Sequence, residues 1–250
     1  MQKQLTQMLH LEREPVGIYF GNTTARCDMN ADPEKRNCVI PFLMKVSQGQ
    51  TVSMDEKSCN GAGGATGCCF GDGFARWNPT ITKLLSQGYG EDAPPQMPAF
   101  MKEGERFFCT EEVAEKFKNA LPYSQRAYPR IVFAPMSRWK EIGTPDLVYL
   151  FVNPDQLGAL MSMLCSHNGK ITNTISPYCS ACQCIMFAAE QMEKEEPLAV
   201  MGLFDISQRY APLAGLLSLT MPYCRWAELS LDLEKSCLTT HSWRAIEKRM

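Results

Sequence analysis

The sequence lacks the long apolar stretches that mark membrane and exported proteins. None of its apolar runs approaches the roughly 20 residues that a membrane-spanning helix needs. Residues 1–15 contain no apolar core and no small-residue cleavage site, so they do not resemble a signal peptide. We therefore expect a cytoplasmic protein that does not associate with a membrane.

An excess of charge of one sign is also missing. The 250 residues carry 25 Lys and Arg against 27 Asp and Glu, for a net charge of −2. No basic field exists that would attract nucleic acid, so we expect no nucleic-acid partner. Gly-x-Ser-x-Gly, His-Glu-x-x-His, phosphate-loop and kinase motifs are absent as well. The common hydrolase and phosphotransferase chemistries therefore have no support in the sequence.

The composition is that of a globular protein with a core. Hydrophobic residues make up 45% of the chain, and no linker, repeat or low-complexity tract divides it. Residues 1–250 are therefore predicted to form one compact domain. Strands and helices alternate in the second half: Leu147–Val152 is predicted as a strand covered on both faces, and Asn153-Pro154 as the cap of the next helix. This order predicts an α/β or α+β fold, with a mixed sheet flanked by helices.

Cysteine is what the sequence has in abundance, with twelve residues. In a cytoplasmic chain of this length most thiols are expected to be reduced. Three stand together in Cys179-Ser-Ala-Cys182-Gln-Cys184, shortly after Pro177, so a helix is expected to begin only after this proline. The thiols are thereby predicted at a helix N-terminus, where partial positive charge lowers the pKa of a thiol.

The spacing of this motif leaves three interpretations open. Cys-x-x-Cys places two sulfurs within reach of one metal, whereas Cys184 points elsewhere on a regular helix. The thiols are metal or cluster ligands, a redox dithiol, or unligated side chains that pack in the interior.

A second group of cysteines frames a glycine-rich segment. Cys59 precedes this segment, Cys68 and Cys69 stand near its end, and six glycines lie between residues 61 and 73. Glycines let the backbone approach a ligand closely. The glycines predicted to contact a cofactor are Gly61, Gly63 and Gly64. A flexible, turn-rich loop is the alternative. Adjacent cysteines do not easily bind one ion, so a mononuclear site would use at most one of Cys68 and Cys69.

Asp205 and Arg209 stand at positions i and i+4, after a strand predicted within residues 197–204. The pair could position a cofactor or an anionic ligand, since α/β proteins place their sites at the carboxyl ends of strands. A simple ion pair on one helical turn is the alternative.

Several short segments recur in an order that is familiar from one protein family. They are Glu14–Ile18, Cys38 at a helix start, Ser58–Ala62, Asp146–Pro154, Cys182 at a helix start, and Pro197–Arg209. On these segments the chain resembles domain-of-unknown-function family 169, a family of prokaryotes, many of them anaerobic. The resemblance covers most of the chain and implies that Cys38, Cys59 and Cys182 belong to one site. The cysteines beyond the usual family pattern are Cys68, Cys69, Cys179 and Cys184.

The density of soft ligands in two segments predicts an iron–sulfur cluster, most simply of the 4Fe-4S type. The predicted ligands are Cys38, Cys59, Cys179 and Cys182, with Cys68, Cys69 and Cys184 as substitutes or as ligands of a second metal. Zinc is the alternative metal. It has less support because only one Cys-x-x-Cys exists and the three histidines lack zinc-site spacing to it.

These observations lead us to expect an iron–sulfur protein that acts in electron transfer or a reductive reaction. Its partner would be an electron-transfer protein or a small-molecule substrate. The alternatives are a non-enzymatic module that binds a soft metal, and a thiol-based reductase or sulfur carrier with Cys182 or Cys179 as nucleophile. The cluster hypothesis requires Cys59 and Cys182, distant in sequence, to lie close together.

Overall fold

The computed structural model describes residues 2–21, 24–35, 37–59, 61–75, 80–123, 128–178, 180–209, 211–231 and 233–250. Within these ranges the strands are β1 (Val16–Phe20), β2 (Met29–Asn30), β3 (Val52–Asp55), β4 (Arg130–Pro135), β5 (Leu147–Val152), β6 (Thr174–Ile175), β7 (Ala199–Gly202) and β8 (Leu217–Pro222). The helices are α1 (Gln2–Met8), α2 (Val39–Val46), α3 (Ala62–Gly67), α4 (Thr80–Leu85), α5 (Ala99–Glu103), α6 (Glu111–Asn119), α7 (Trp139–Ile142), α8 (Pro154–Ser166), α9 (Gln183–Gln191), α10 (Tyr223–Leu229) and α11 (His241–Glu247).

These strands form one sheet in the order β2-β3-β4-β1-β5-β8-β7-β6. The six central strands pair antiparallel. The short edge strands β2 and β6 each join their neighbour in parallel. Gly17 of β1 lies opposite Ala134 of β4 on one side and Val148 of β5 on the other. The sheet is therefore mixed, and the predicted fold class is confirmed.

Strand β5 lies at the centre of the core because helices cover both of its faces. Tyr149 belongs to an apolar cluster that includes side chains of α2 and α9. Leu150 belongs to a second cluster that includes side chains of α1, α8, α10 and α11. All six residues of β5 are buried, as its uninterrupted apolar sequence predicts. Across the described ranges, every helix is too short or too polar to traverse a bilayer.

A third apolar cluster extends the structure beyond α9. Met186 of α9 packs there with Ile81 of α4 and with Phe74, while Phe117 of α6 lies against the same cluster. Ile185, the neighbour of Met186, instead faces the sheet within the first cluster. Helix α9 is thus apolar on two sides, and it separates the sheet from the layer that contains α4 and α6.

The cap of α8 has the structure that Asn153-Pro154 predicts. The Asn153 side chain accepts a hydrogen bond from the backbone N–H of Gln156, and the Gln156 side chain accepts one from the backbone N–H of Asn153, both at 2.9 Å. Gln156 Nε2 also donates to the carbonyls of Leu9 and His10, just after α1. One capping box therefore begins α8 and holds the end of the N-terminal helix.

Replacing Asn153 with alanine is expected to lower the free energy of unfolding by about 1 kcal/mol, because the N-terminal amides of α8 lose their side-chain acceptor. Urea unfolding measures the change. Asn153→Asp keeps an acceptor oxygen at the cap and should retain most of the stability. Equal stability of the two variants would show that the cap contributes nothing.

Candidate functional site

The glycine-rich segment folds as helix α3 rather than as the flexible loop that we considered as an alternative. Gly67 is the point of closest approach between α3 and α9: a Cβ atom added there would lie 2.6 Å from the carbonyl oxygen of Cys182. Gly73 is equally constrained, because its Cβ would lie 2.4 Å from the carbonyl oxygen of Ala62. The small residues therefore let α3 pack against the N-terminal end of α9.

This packing brings together cysteines from both halves of the chain. Cys59 precedes α3, Cys68 follows it, and both are completely buried. The Cys68 thiol hydrogen-bonds to Cys59, and it lies close enough to Cys182 for the charges of their thiolates to interact. Cys182 is the N-cap residue of α9 and is also buried. Cys182 also lies near enough to Cys59 for thiolate charges at the two positions to interact, while a shared ligand sphere stays a prediction.

Cys38 joins this group from a third segment. It is the N-cap residue of α2 and is exposed. Its thiol donates to Gln208 Oε1 at 3.2 Å, and it lies near enough to Cys182 for thiolate charges at the two positions to interact. Cys38, Cys59 and Cys182 are therefore neighbours, and the one site that the family resemblance implies for them stays a prediction. Cys68 is the fourth member of what we call the thiol cluster: Cys38, Cys59, Cys68 and Cys182.

The prediction that a helix N-terminus lowers the thiol pKa is wrong for Cys182. Burial raises the pKa of Cys182 well above its ordinary value, and the hydroxyl of Ser180, 3.6 Å from the sulfur, offsets this only in part. The hydrogen bond with Cys59, followed by burial, likewise raises the pKa of Cys68. The partial charge of a helix end is outweighed here by the loss of water around the thiolate.

Two cysteines of the predicted ligand set face other parts of the protein. Cys184 donates to the Ala181 carbonyl at 3.1 Å and lies against the hydroxyls of Ser218 and Thr220 on the sheet. Burial raises its pKa to about 11. Cys69 belongs to the third apolar cluster, on the other side from Cys59. The last predicted ligand, Cys179, lies outside the described residues.

The thiol cluster is not arranged for a single ion. Within the described ranges, no three His, Cys, Asp or Glu side chains are positioned to hold one metal ion. All eleven cysteines in those ranges are free thiols. The iron–sulfur cluster and its zinc alternative therefore stay predictions.

A cavity of about 490 Å³ opens beside the thiol cluster. Cys38 and Cys182 line it, together with the three glycines that were predicted to contact a cofactor: Gly61, Gly63 and Gly64. Its apolar wall comes mainly from the layer beyond α9: Phe74, Ile81, Leu84, Leu85, Phe100, Phe107, Phe108, Phe117 and Tyr178. The volume lies within the range of small-molecule sites, roughly 300–1,000 Å³.

Asp205 and Arg209 have different environments. Asp205 lines the cavity, where it accepts hydrogen bonds from the backbone N–H and the hydroxyl of Ser207. Arg209 donates to the carbonyls of Leu203 and Leu216, at 2.8 and 2.9 Å, and so ties two loops together. Arg209 is absent from the described lining of the cavity. Of this pair, only Asp205 is placed to contact a ligand.

Glu105 is an acidic residue of the cavity that no sequence pattern predicted. Burial, followed by the nearby charge of Asp205, raises the pKa of the Glu105 carboxyl. Burial also raises the pKa of Asp205. Glu105 comes from a loop between α5 and α6, and no local pattern links it to Asp205, one hundred residues later. The only sequence feature that points to this part of the cavity lining is the adjacent aromatic pair Phe107-Phe108.

Gln183 was also missed. It lines the cavity and is completely buried. Its Oε1 accepts from the Ser180 backbone N–H at 2.8 Å, whereas its Nε2 has no hydrogen-bond partner among the described residues. An unsatisfied buried donor is costly, so a bound group that offers an acceptor would be stabilised here.

Comparison with known proteins identifies the family of this chain but does not identify an activity. A sequence model of the family described as uncharacterised ArCR, domain-of-unknown-function family 169, matches residues 4–230. No curated protein and no solved structure matches the chain. The matched residues include the whole thiol cluster and all of the described lining of the cavity. The chain therefore belongs to domain-of-unknown-function family 169.

Proposed function

We propose that this protein binds an iron–sulfur cluster at the thiol cluster and uses it in a reductive reaction on a small molecule in the adjacent cavity. The observation that carries the proposal is the convergence of four cysteines from three separate segments beside one cavity. Three of them are the predicted ligands Cys38, Cys59 and Cys182, and Cys68 takes the place of a fourth. Cys179 stays a candidate from its sequence position.

The chemistry of the donor set fits such a group. Thiolates are the usual protein ligands of iron–sulfur clusters. The raised pKa values of Cys68 and Cys182 mean that both thiols are neutral at pH 7 unless a cation compensates for their ionisation. Cluster sulfides accept N–H hydrogen bonds, and the unsatisfied Nε2 of Gln183 is a donor of the required kind in the same site. When bound, the cluster would supply single electrons to the ligand of the cavity.

The arrangement favours a cluster over a zinc ion. Structural zinc requires four ligands in a tight tetrahedron around one atom, whereas the described side chains hold no such group. An iron–sulfur cluster is larger and keeps its ligand sulfurs further apart.

The thiol-reductase alternative has less support. A nucleophilic cysteine needs a lowered pKa to be a thiolate near neutral pH. The pKa of Cys182 is raised instead, and the side chain is buried. Without a metal, this thiol would therefore react slowly with electrophiles.

Iron and sulfide content test the proposal directly. Protein purified without oxygen, or reconstituted with iron and sulfide, should be brown, and a 4Fe-4S cluster would give about four irons and four sulfides per chain. Zinc-loaded protein is the control for metal binding without sulfide. Stoichiometric zinc or copper with no sulfide would support the soft-metal module, and protein that remains colourless and metal-free would overturn both hypotheses.

A further inference from the structure

The outer half of the cavity is an aromatic cage around Tyr178. The ring of Tyr178 lies 6.0 Å from Phe107, 6.2 Å from Phe108 and 6.4 Å from Phe117, measured between ring centroids. The planes of Phe107 and Phe108 are inclined by 76° and 89° to that of Tyr178, so both pairs are T-shaped. Tyr178 and Phe100 remain 43% and 40% exposed. A flat ring that entered the cavity would cover apolar surface that now faces water.

The charged side chains of the described lining are all acidic. Glu105 and Asp205 are the two, and the described lining contains neither lysine nor arginine. A ligand with a carboxylate or phosphate group would therefore meet two like charges and no counter-charge. A cationic ligand would meet attraction, which is stronger in a partly buried site than in water.

The two carboxyl groups are not equally available. Asp205 is held by Ser207 and by the backbone N–H of Ala181, so it positions the chain just before α9. Glu105 is bound through its backbone N–H to the Leu84 carbonyl. Within the described ranges its carboxyl group makes no hydrogen bond. Glu105 is thus the direct partner for a ligand, and Asp205 adds negative charge nearby.

We propose that the cavity binds a small molecule with a flat aromatic or heteroaromatic ring and a positively charged nitrogen. The ring lies against Tyr178 and Phe108, and the nitrogen donates to the Glu105 carboxylate. The reaction of the bound ligand rests on the proposed function. Recognition of the ligand does not, because the residues that would contact it are not those that would hold the cluster.

The electrostatics of the cavity support this assignment. Burial and repulsion from Asp205 raise the pKa of Glu105. No positive charge in the described lining balances the ionised carboxylate. A cation supplies that compensation and forms a charge-assisted hydrogen bond. The aromatic rings add a cation–π attraction to the same group.

Isothermal titration calorimetry with naphthylmethylamine, naphthylmethanol and naphthoate tests the charge requirement on one ring. The amine should bind about 10-fold or more tightly than the alcohol, because charge-assisted hydrogen bonds are roughly twice as strong as neutral ones. Naphthoate should bind weakest. Cyclohexylmethylamine tests the ring and should bind less tightly than the aromatic amine. Equal or tighter binding of the carboxylate, or no binding of the aromatic amine at millimolar concentration, would overturn the proposal.

Glu105→Gln is the matching variant. It should remove the preference for the amine over the alcohol while leaving alcohol binding unchanged. Glu103→Gln is the control, since Glu103 lies two residues away, is exposed and is outside the described lining. A preference that survives Glu105→Gln would contradict the role of this carboxylate.

Each titration is run on the full chain both with and without reconstituted iron and sulfide. If the protein prefers the amine but never takes up a cluster, this proposal holds and the proposed function is wrong. If the protein takes up a cluster but does not prefer the amine, the proposed function holds and this proposal is wrong.

Discussion

Cys182→Ser is expected to abolish the proposed binding of iron and sulfide, with a loss of more than about 100-fold in cluster affinity. Losing a residue that only hydrogen-bonds to a metal ligand already costs about 10- to 100-fold in metal affinity, and losing a ligand costs more. Cys182 lies within electrostatic range of both Cys59 and Cys38, which come from two separate segments of the first half of the chain. Anaerobic reconstitution followed by iron and sulfide analysis measures the effect.

Cys184→Ser is the matched control. Cys184 lies two residues from Cys182 and is even less accessible to water, and its thiol donates to the Ala181 carbonyl and faces the hydroxyls of β8. A serine hydroxyl can make the same donation. This variant should therefore bind iron and sulfide as the parent protein does. If both variants lose the cluster equally, or if neither loses it, Cys182 is not the specific ligand that we propose.

Gly67→Ala is expected to lower the free energy of unfolding by about 1–3 kcal/mol, the usual cost of adding a methyl group to a packed interior. The added Cβ would lie 2.6 Å from the carbonyl oxygen of Cys182, and both are backbone-bound atoms that cannot rotate away. Helices α3 and α9 must therefore separate. Cys68 lies at the C-terminal end of α3 and Cys182 at the N-terminal end of α9, and these two ends meet. The variant should therefore also take up less iron than the parent protein.

Gly158→Ala supplies a control of opposite sign. Gly158 lies within α8, on its exposed side, and a Cβ atom added there would meet nothing within 4 Å. Alanine at such a helical position should stabilise the protein by roughly 0.5–1 kcal/mol. Chemical unfolding of both variants measures the contrast. Equal effects of the two substitutions would mean that the contact between α3 and α9 is not tight.

Local patterns predicted the elements whose stability is decided locally. The apolar run Leu147–Val152 is a strand buried on both faces, and Asn153 begins the next helix through a capping box. Both follow from short-range physics: a continuous apolar strand needs two covers, and a helix start needs an acceptor for its free amides. The Asp205 side chain likewise accepts from the backbone two residues later, as an N-cap does.

Helix α3 shows where local patterns were insufficient. Its glycines disfavour a helix by intrinsic propensity and suggested a flexible loop as one alternative. Gly67 and Gly73 are instead required by close contacts with Cys182 and Ala62. The energy that favours the helix comes from packing against α9, which no local pattern contains.

The choice between neighbouring cysteines also depended on the fold. The sequence could state only that adjacent cysteines do not readily share an ion. Cys69 has a positive φ of 59° and turns into the third apolar cluster, while Cys68 faces Cys59. The direction of the pKa shift of Cys182 depended on the fold as well, because it reflects how many layers of protein cover the thiol.

The cysteine content by itself predicted soft-ligand chemistry, and the family resemblance implied that Cys38, Cys59 and Cys182 belong to one site. Only the tertiary structure decided that Cys68 lies beside Cys59, that Cys184 faces the sheet, and that a cavity with an aromatic cage and Glu105 lies beside the thiol cluster. The reason is physical. Residue type sets which bonds a side chain can form, whereas long-range packing sets which side chains meet and how much water remains around them.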